Sequence, residues 1–67
     1  MINLGIFKSK AGKSYDCHFI PDEKIVQAVG PLPKRVGSRG VVFETRAESE
    51  QEGRDKISAA IESGELK

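Results

Sequence analysis

The 67-residue chain carries eleven Lys and Arg against ten Asp and Glu, for a net charge of +1, and 37% of its residues are hydrophobic. This length allows one domain, spanning residues 1–67, with a small core that buries about 60% of the surface of the unfolded chain. The balanced charge indicates no particular class of binding partner. The single cysteine excludes an internal disulfide and favours a reducing compartment. With no signal peptide and no apolar run of about 18 residues, we expect a cytoplasmic protein without membrane contact.

Two strands are predicted at the start of the chain, near residues 2–7 and 14–20, because apolar and polar residues alternate along both. The segment 8–13 between them is small and cationic, and its Gly12 suits the positive φ of a tight turn. We therefore predict a hairpin in which Cys17 and its aromatic neighbours face the core.

The segment 25–29 fits either of two structures. Its three β-branched residues and the four-residue link before it favour a third strand. Alternatively, Asp22 caps a two-turn helix over 23–29, which Gly30 and Pro31 would end. We favour the strand near 25–29 and keep the short helix as the alternative.

The second half of the chain predicts a basic loop, a strand and a helix. Three glycines and two prolines indicate a loop over 30–40, followed by an apolar strand near 41–45. Thr45 and Glu48 have the spacing of a capping box, in which each side chain bonds a backbone N–H of the other. We therefore expect the helix over 46–63.

One side of this helix is narrow and apolar. It is formed by Gly53, Ile57, Ala60, Ile61 and Gly64. Gly53 predicts a close approach of the helix to the sheet, and Gly64 predicts the helix end. On the solvated side we expect a Glu52–Lys56 pair, and the residues after Gly64 should fray. The predicted fold is α+β: an antiparallel sheet of three to four strands with one C-terminal helix packed on one face (β-β-β-β-α).

Two short motifs suggest catalysis, but neither has the required geometry. The AGKS sequence at 11–14 resembles the end of a phosphate-binding loop, yet Phe7 stands where that loop needs a glycine.

Cys17 and His18 are neighbours in a strand, so they point to opposite faces and cannot share a proton. One cysteine and one histidine also fall short of the four ligands of structural zinc. We expect no enzyme activity, metal, cofactor or small-molecule substrate.

Charge divides the chain into two parts. Residues 1–46 hold eight basic and four acidic residues, net +4, whereas residues 47–67 hold three basic and six acidic ones, net −3. The basic side chains concentrate in loops 8–13 and 34–39. Those we expect to contact the phosphate backbone of DNA or RNA are Lys8, Lys10, Lys13, Lys34, Arg35 and Arg39.

The β-β-β-helix order and the joint formed by Phe43, Thr45 and Glu48 loosely resemble the arm-binding domains of phage-type integrases and the AP2 class. The resemblance covers the topology of residues 14–63, and it implies a three-stranded sheet laid on DNA with a helix behind it. The chain departs from that pattern because it has no tryptophan and its predicted strand faces are not rich in Arg or Lys.

Two functions from different classes stay open. The first is a non-enzymatic nucleic-acid-binding accessory module that uses loops 8–13 and 34–39. The second is a protein-interaction or regulatory module, of the kind found among phage and plasmid accessory proteins. It would act through an exposed sheet edge or the acidic helix, alone or as a homodimer.

Overall fold

The computed structural model describes residues 1–32, 34 and 37–66. Within them the chain forms β1 (Ile2–Lys8), β2 (Ser14–Ile20), β3 (Ile25–Pro31), β4 (Arg39–Arg46) and α1 (Glu50–Ser63). The strands form one antiparallel sheet in the order β1-β2-β3-β4, and α1 packs on one face of it. The predicted β-β-β-β-α architecture is confirmed.

The ambiguous segment after residue 24 is a strand. Val26 lies opposite Phe19 on β2 and opposite Thr45 on β4, so β3 is a central strand with a partner on each side. The helix alternative over 23–29 is therefore wrong. The β-branched residues decided the outcome, because their stiff side chains pack well on a pleated, half-buried surface.

The predicted loop 30–40 is too long at both ends. Gly30 and Pro31 extend β3, and they lie opposite Gly40 and Arg39 at the start of β4. Gly30 is a packing residue, because a Cβ there would lie 2.5 Å from the buried ring of Tyr15. Glycine and a strand-end proline are compatible with a sheet at these places, although both are loop signals in the sequence.

The helix begins four residues later than the sequence predicted. Its N-cap is Ser49, whose Oγ accepts the N–H of Glu52 at 3.2 Å. Glu52 in turn accepts the N–H of Glu48 at 2.7 Å. The predicted capping box of Thr45 and Glu48 is therefore wrong, and the expected Glu52–Lys56 pair is replaced by this cap.

Strand pairing explains the shift. Arg46 still lies opposite Ile25, and the N–H of Ala47 donates to the carbonyl of Lys24 at 2.9 Å. Thr45 is thereby held in extended backbone within β4 and cannot cap a helix. The next Ser-x-x-Glu sequence, at 49–52, takes that role.

The core lies between α1 and the sheet. Its buried residues are Leu4, Tyr15, Cys17, Phe19, Val26, Ala28, Ala47, Ile57, Ala60 and Leu66. At Gly53 the helix backbone comes so near that a Cβ would lie 3.3 Å from Val26 and 3.5 Å from Leu4. The close approach predicted from this glycine is confirmed.

The helix ends at Gly64, as predicted. Gly64 has φ of 89°, and its N–H donates to the carbonyl of Ile61 at 3.3 Å. The chain then turns back, so that the N–H of Leu66 donates to Ala60 at 3.2 Å and only 3% of Leu66 is exposed. The expected fraying is wrong at Leu66, because this turn brings its apolar side chain into the core; Lys67 lies outside the described residues.

The Ser49→Ala variant tests the N-cap. It removes the oxygen that accepts the Glu52 N–H, so the free energy of unfolding should fall by about 1 kcal/mol, whereas Ser49→Asp should keep most of it. Ser58 is an exposed mid-helix serine and supplies the control, because Ser58→Ala should be neutral or slightly stabilising. Urea unfolding followed by circular dichroism measures all three. Equal losses for Ser49→Ala and Ser58→Ala would contradict the assignment.

Candidate nucleic-acid interface

The two basic loops lie at the same end of the sheet. Neighbouring strands run in opposite directions, so the β1–β2 and β3–β4 connections leave from one end and the β2–β3 connection from the other. Lys13 of the first loop and Leu32 of the second line one depression beside Tyr15. We call this region the basic end. Its described candidate residues are Lys8, Lys10, Lys13, Lys34 and Arg39; Arg35 lies outside the described residues.

Two of the five candidates are engaged by acidic side chains. Lys10 lies 3.3 Å from a carboxylate oxygen of Glu62 and also donates to the Glu62 carbonyl. Arg39 lies 3.5 Å from Asp16, and it donates to the carbonyl of Val29 at 3.2 Å. Both pairs are exposed to water, where such ion pairs contribute only about 0–1 kcal/mol.

The side chains of Lys8, Lys13 and Lys34 are exposed. Among the described residues, none of these three ammonium groups has a hydrogen bond or an ion pair. They therefore retain full positive charge toward solvent at the basic end, where a phosphate group could approach them.

Ser9 holds the first loop in a hydrogen-bonded turn. Ser9 is buried, and its N–H donates to the carbonyl of Lys13 at 2.9 Å while its Oγ accepts the Lys13 N–H at 3.2 Å. Gly12, with φ of 86°, closes the turn by donating to the Ser9 carbonyl at 3.0 Å. Sequence reasoning missed this role, since a serine between two lysines resembles an exposed polar residue. The turn fixes the backbone that carries Lys10 and Lys13.

The centre of the sheet face that α1 leaves uncovered carries no Lys or Arg. Its central row runs across His18, Gln27 and Glu44, with a 2.6 Å hydrogen bond from Gln27 to Glu44. Asp16 adds a second carboxylate beside this row. The basic residues of this face, Lys8, Arg39 and Arg46, lie at strand ends, and Arg39 is paired with Asp16. The face therefore lacks the dense rows of Arg and Lys that the sheet-on-DNA mode implied by the resemblance would use.

Cys17 and His18 are separated by the sheet. Cys17 is fully buried, whereas His18 lies on the uncovered face. Burial raises the pKa of the Cys17 thiol from 9.0 to about 11, and the negative charge of Asp16 adds to the shift. A thiol that stays protonated is a poor nucleophile. Cys17 is thus a core residue.

The described part of the chain contains no cluster of three His, Cys, Asp or Glu side chains arranged to hold a metal ion. Nor does it contain a helix with the length and apolarity that crossing a membrane requires. Comparison with known protein families, with curated proteins and with solved structures finds no match to this chain. Function must therefore be inferred from these residues themselves.

The buried thiol predicts a loss of stability at high pH. Because its pKa is about 11 in the folded protein and about 9 when unfolded, the thiol proton is retained longer in the fold. Its contribution is complete below pH 9 and is lost as the pH rises through 11, by up to about 2–3 kcal/mol. The Cys17→Ala variant lacks this pH-dependent contribution of the thiol. It is less stable at neutral pH, because the substitution leaves a small cavity.

The measurement is the free energy of unfolding of both proteins between pH 7 and pH 11. Lysine and tyrosine titrations are common to both, so the difference between the proteins isolates the thiol. That difference should shrink above pH 9. Parallel curves over the whole range would show that the thiol is not protected by burial.

Proposed function

We propose that this protein binds nucleic acid, without sequence preference, through phosphate contacts made by the basic end. The main support is the grouping of Lys8, Lys13 and Lys34, which are exposed at one end of the sheet with no acidic partner among the described residues. Such cations release condensed counterions when they neutralise phosphates, and this release drives sequence-independent binding.

Lys10 and Arg39 can add to the contact. Their partners, Glu62 and Asp16, hold them through solvent-exposed ion pairs of 3.3 and 3.5 Å. Since such pairs are weak in water, a phosphate oxygen can replace either carboxylate at small cost. The bound state would then use up to five cations of the described residues.

Base recognition is not supported by the residues present. Tyr15 and Phe19 are buried, and Phe7 and Phe43 are partly buried against the core, so these aromatic rings cannot form a stacking platform for single strands. Contacts to phosphate alone fix position without reading sequence. We therefore expect weak, salt-sensitive binding that favours duplexes over single strands of equal length.

Removing the three unpaired lysines tests this proposal. The triple variant Lys8→Gln/Lys13→Gln/Lys34→Gln should bind a random-sequence DNA duplex about tenfold more weakly or worse. The slope of log K against log salt should become shallower by about 2 to 3, because each lost phosphate contact contributes about 0.9. Fluorescence anisotropy with a labelled duplex, between about 50 and 200 mM salt, gives both quantities.

The matched control removes three positive charges elsewhere. Lys24, Arg46 and Lys56 are exposed and lie away from the two basic loops, and the triple glutamine variant at these positions has the same net charge as the test variant. It should bind nearly as well as the parent protein. Absence of binding at the lowest salt would overturn the proposed function, and equal losses in both variants would overturn its assignment to the basic end.

A second function, protein interaction, is supported by a different feature. The outer edge of β4 receives no hydrogen bond from any other described residue, and such an edge is a template for an additional strand. This observation does not depend on the basic end, so the two functions can coexist in one molecule.

A further inference from the structure

The two edges of the sheet differ in their protection, and the β1 edge is closed. Gly5, with φ of 94°, forms a bulge whose N–H donates to the side chain of Asn3 at 2.8 Å. Arg54 of α1 donates to the carbonyl of Leu4 at 3.1 Å. A bulge and a covering arginine are both features that prevent a further strand from pairing.

The β4 edge also has a bulge, at Val42, but no side chain covers it among the described residues. Among the described residues, no side chain and no backbone group outside β3 bonds to the backbone of residues 40–46. The strand is eight residues long, and its centre is the apolar sequence Val41–Phe43. Val41 is 49% exposed. Long, apolar, unpaired edges of this kind are sites of strand addition.

A groove runs beside β4 on the helix side. Because α1 packs mainly on β1, β2 and β3, a space of about 450 Å³ remains between β4 and the C-terminal half of the helix. It is lined by strand residues, helix residues and one residue beyond the helix: Phe43, Glu44 and Thr45; Lys56, Ala59, Ala60 and Ser63; and Glu65. The small helical side chains leave room for the inward-facing residues of an added strand.

We propose that the occupant of this edge is β4 of a second copy, paired antiparallel around a two-fold axis between Val42 and Phe43. The result is a continuous eight-stranded sheet with both helices on the same side. The interface is isologous, because each copy contributes the same strand, β4, as two-fold symmetry requires.

The register follows from the bulge in β4. Phe43 lies opposite Ala28 and Val41 opposite Val29, so Val42 is an extra residue. Val42 and Phe43 both pack against the core, and Val42 approaches Gly30, which places both side chains on the helix side. Two consecutive inward residues break the alternation of the strand at its centre.

Only a two-fold axis between these two residues matches the faces of the two strands. There, Val42 lies opposite Phe43 of the second copy, and both point inward, while Val41 lies opposite Glu44 and both point to the uncovered face. A shift by one residue would set inward side chains against outward ones along most of the strand, which a buried face does not permit.

The charges at the ends of the strand are compatible with this pairing. Arg39 would lie opposite Arg46 of the second copy, but Arg39 is already 3.5 Å from Asp16 and Arg46 is 3.8 Å from Glu48. Glu44 would lie diagonal to the second copy's Arg39, within reach of long side chains. At each end of the interface, Arg39 of one copy and Arg46 of the other thus lie near three carboxylates, those of Asp16, Glu44 and Glu48.

The pairing should be reversible. Two paired edge strands bury less than the roughly 1,200 Å² of a standard interface, so we expect dissociation in the micromolar range. Sedimentation of the full chain from micromolar to millimolar concentration should show conversion from monomer to dimer. A monomer throughout this range would overturn the proposal.

Cysteine cross-linking tests the register directly. In a mixture of Val41→Cys and Glu44→Cys proteins, the two thiols lie opposite each other, at a Cα separation of about 4.5–5.5 Å that a disulfide can bridge. Within either variant alone the new thiols are three residues apart along the strands, roughly 10 Å, and should not join. Native Cys17 is buried and does not interfere.

The readout is the dimer band on a non-reducing gel after mild oxidation, with folding of each variant checked by circular dichroism. Ile6, 67% exposed on β1, supplies the control, because Ile6→Cys should remain uncrosslinked. Cross-linking of Val41→Cys alone as fast as the mixture would overturn the register, as would equal cross-linking of Ile6→Cys. Neither result depends on Lys8, Lys13 or Lys34, whose removal tests DNA binding, so the two proposals fail separately.

Discussion

The close contact between the helix and the sheet at Gly53 determines the rest of the architecture. Val26 and Leu4 occupy the space that a side chain at this position would need, and Ile57, one turn further on, is fully buried. The helix is therefore anchored over β1 and β3 and lies away from β4. The inner side of β4 is left beside a groove, and Phe43 remains only partly covered.

The lysines of the first loop have both a structural role and a proposed role in recognition. The helix runs toward the basic end, so its negative C-terminal pole and the carboxylate of Glu62 meet Lys10 of the first loop. That contact helps hold the hairpin to the helix, while Lys8 and Lys13, on either side of it, point into solvent. One short loop therefore supplies both an internal attachment and free positive charge.

Local patterns predicted the elements well, but their boundaries depended on partners distant in sequence. Alternation identified β1 and β2, β-branched residues favoured β3 over a short helix, and an apolar run indicated β4. None of these patterns could choose between two Thr/Ser-x-x-Glu sequences four residues apart, since pairing of β4 with β3 removes Thr45 and leaves Ser49 as the cap. Gly30 indicated a loop, yet the glycine makes room for the ring of Tyr15. The basic residues were visible in the sequence, but their ion pairs depend on the tertiary fold.

The order of contacts along the chain also bears on how the protein folds. Every strand pairs with its neighbour in sequence, so the sheet can assemble through short hairpins. The helix contacts are the opposite case: Arg54 bonds Leu4 across 50 residues, and Lys10 meets Glu62 across 52. A 14-residue helix with an internal glycine is marginal by itself. Closing that long loop is therefore the entropically costly step, and the sheet and helix form one cooperative unit.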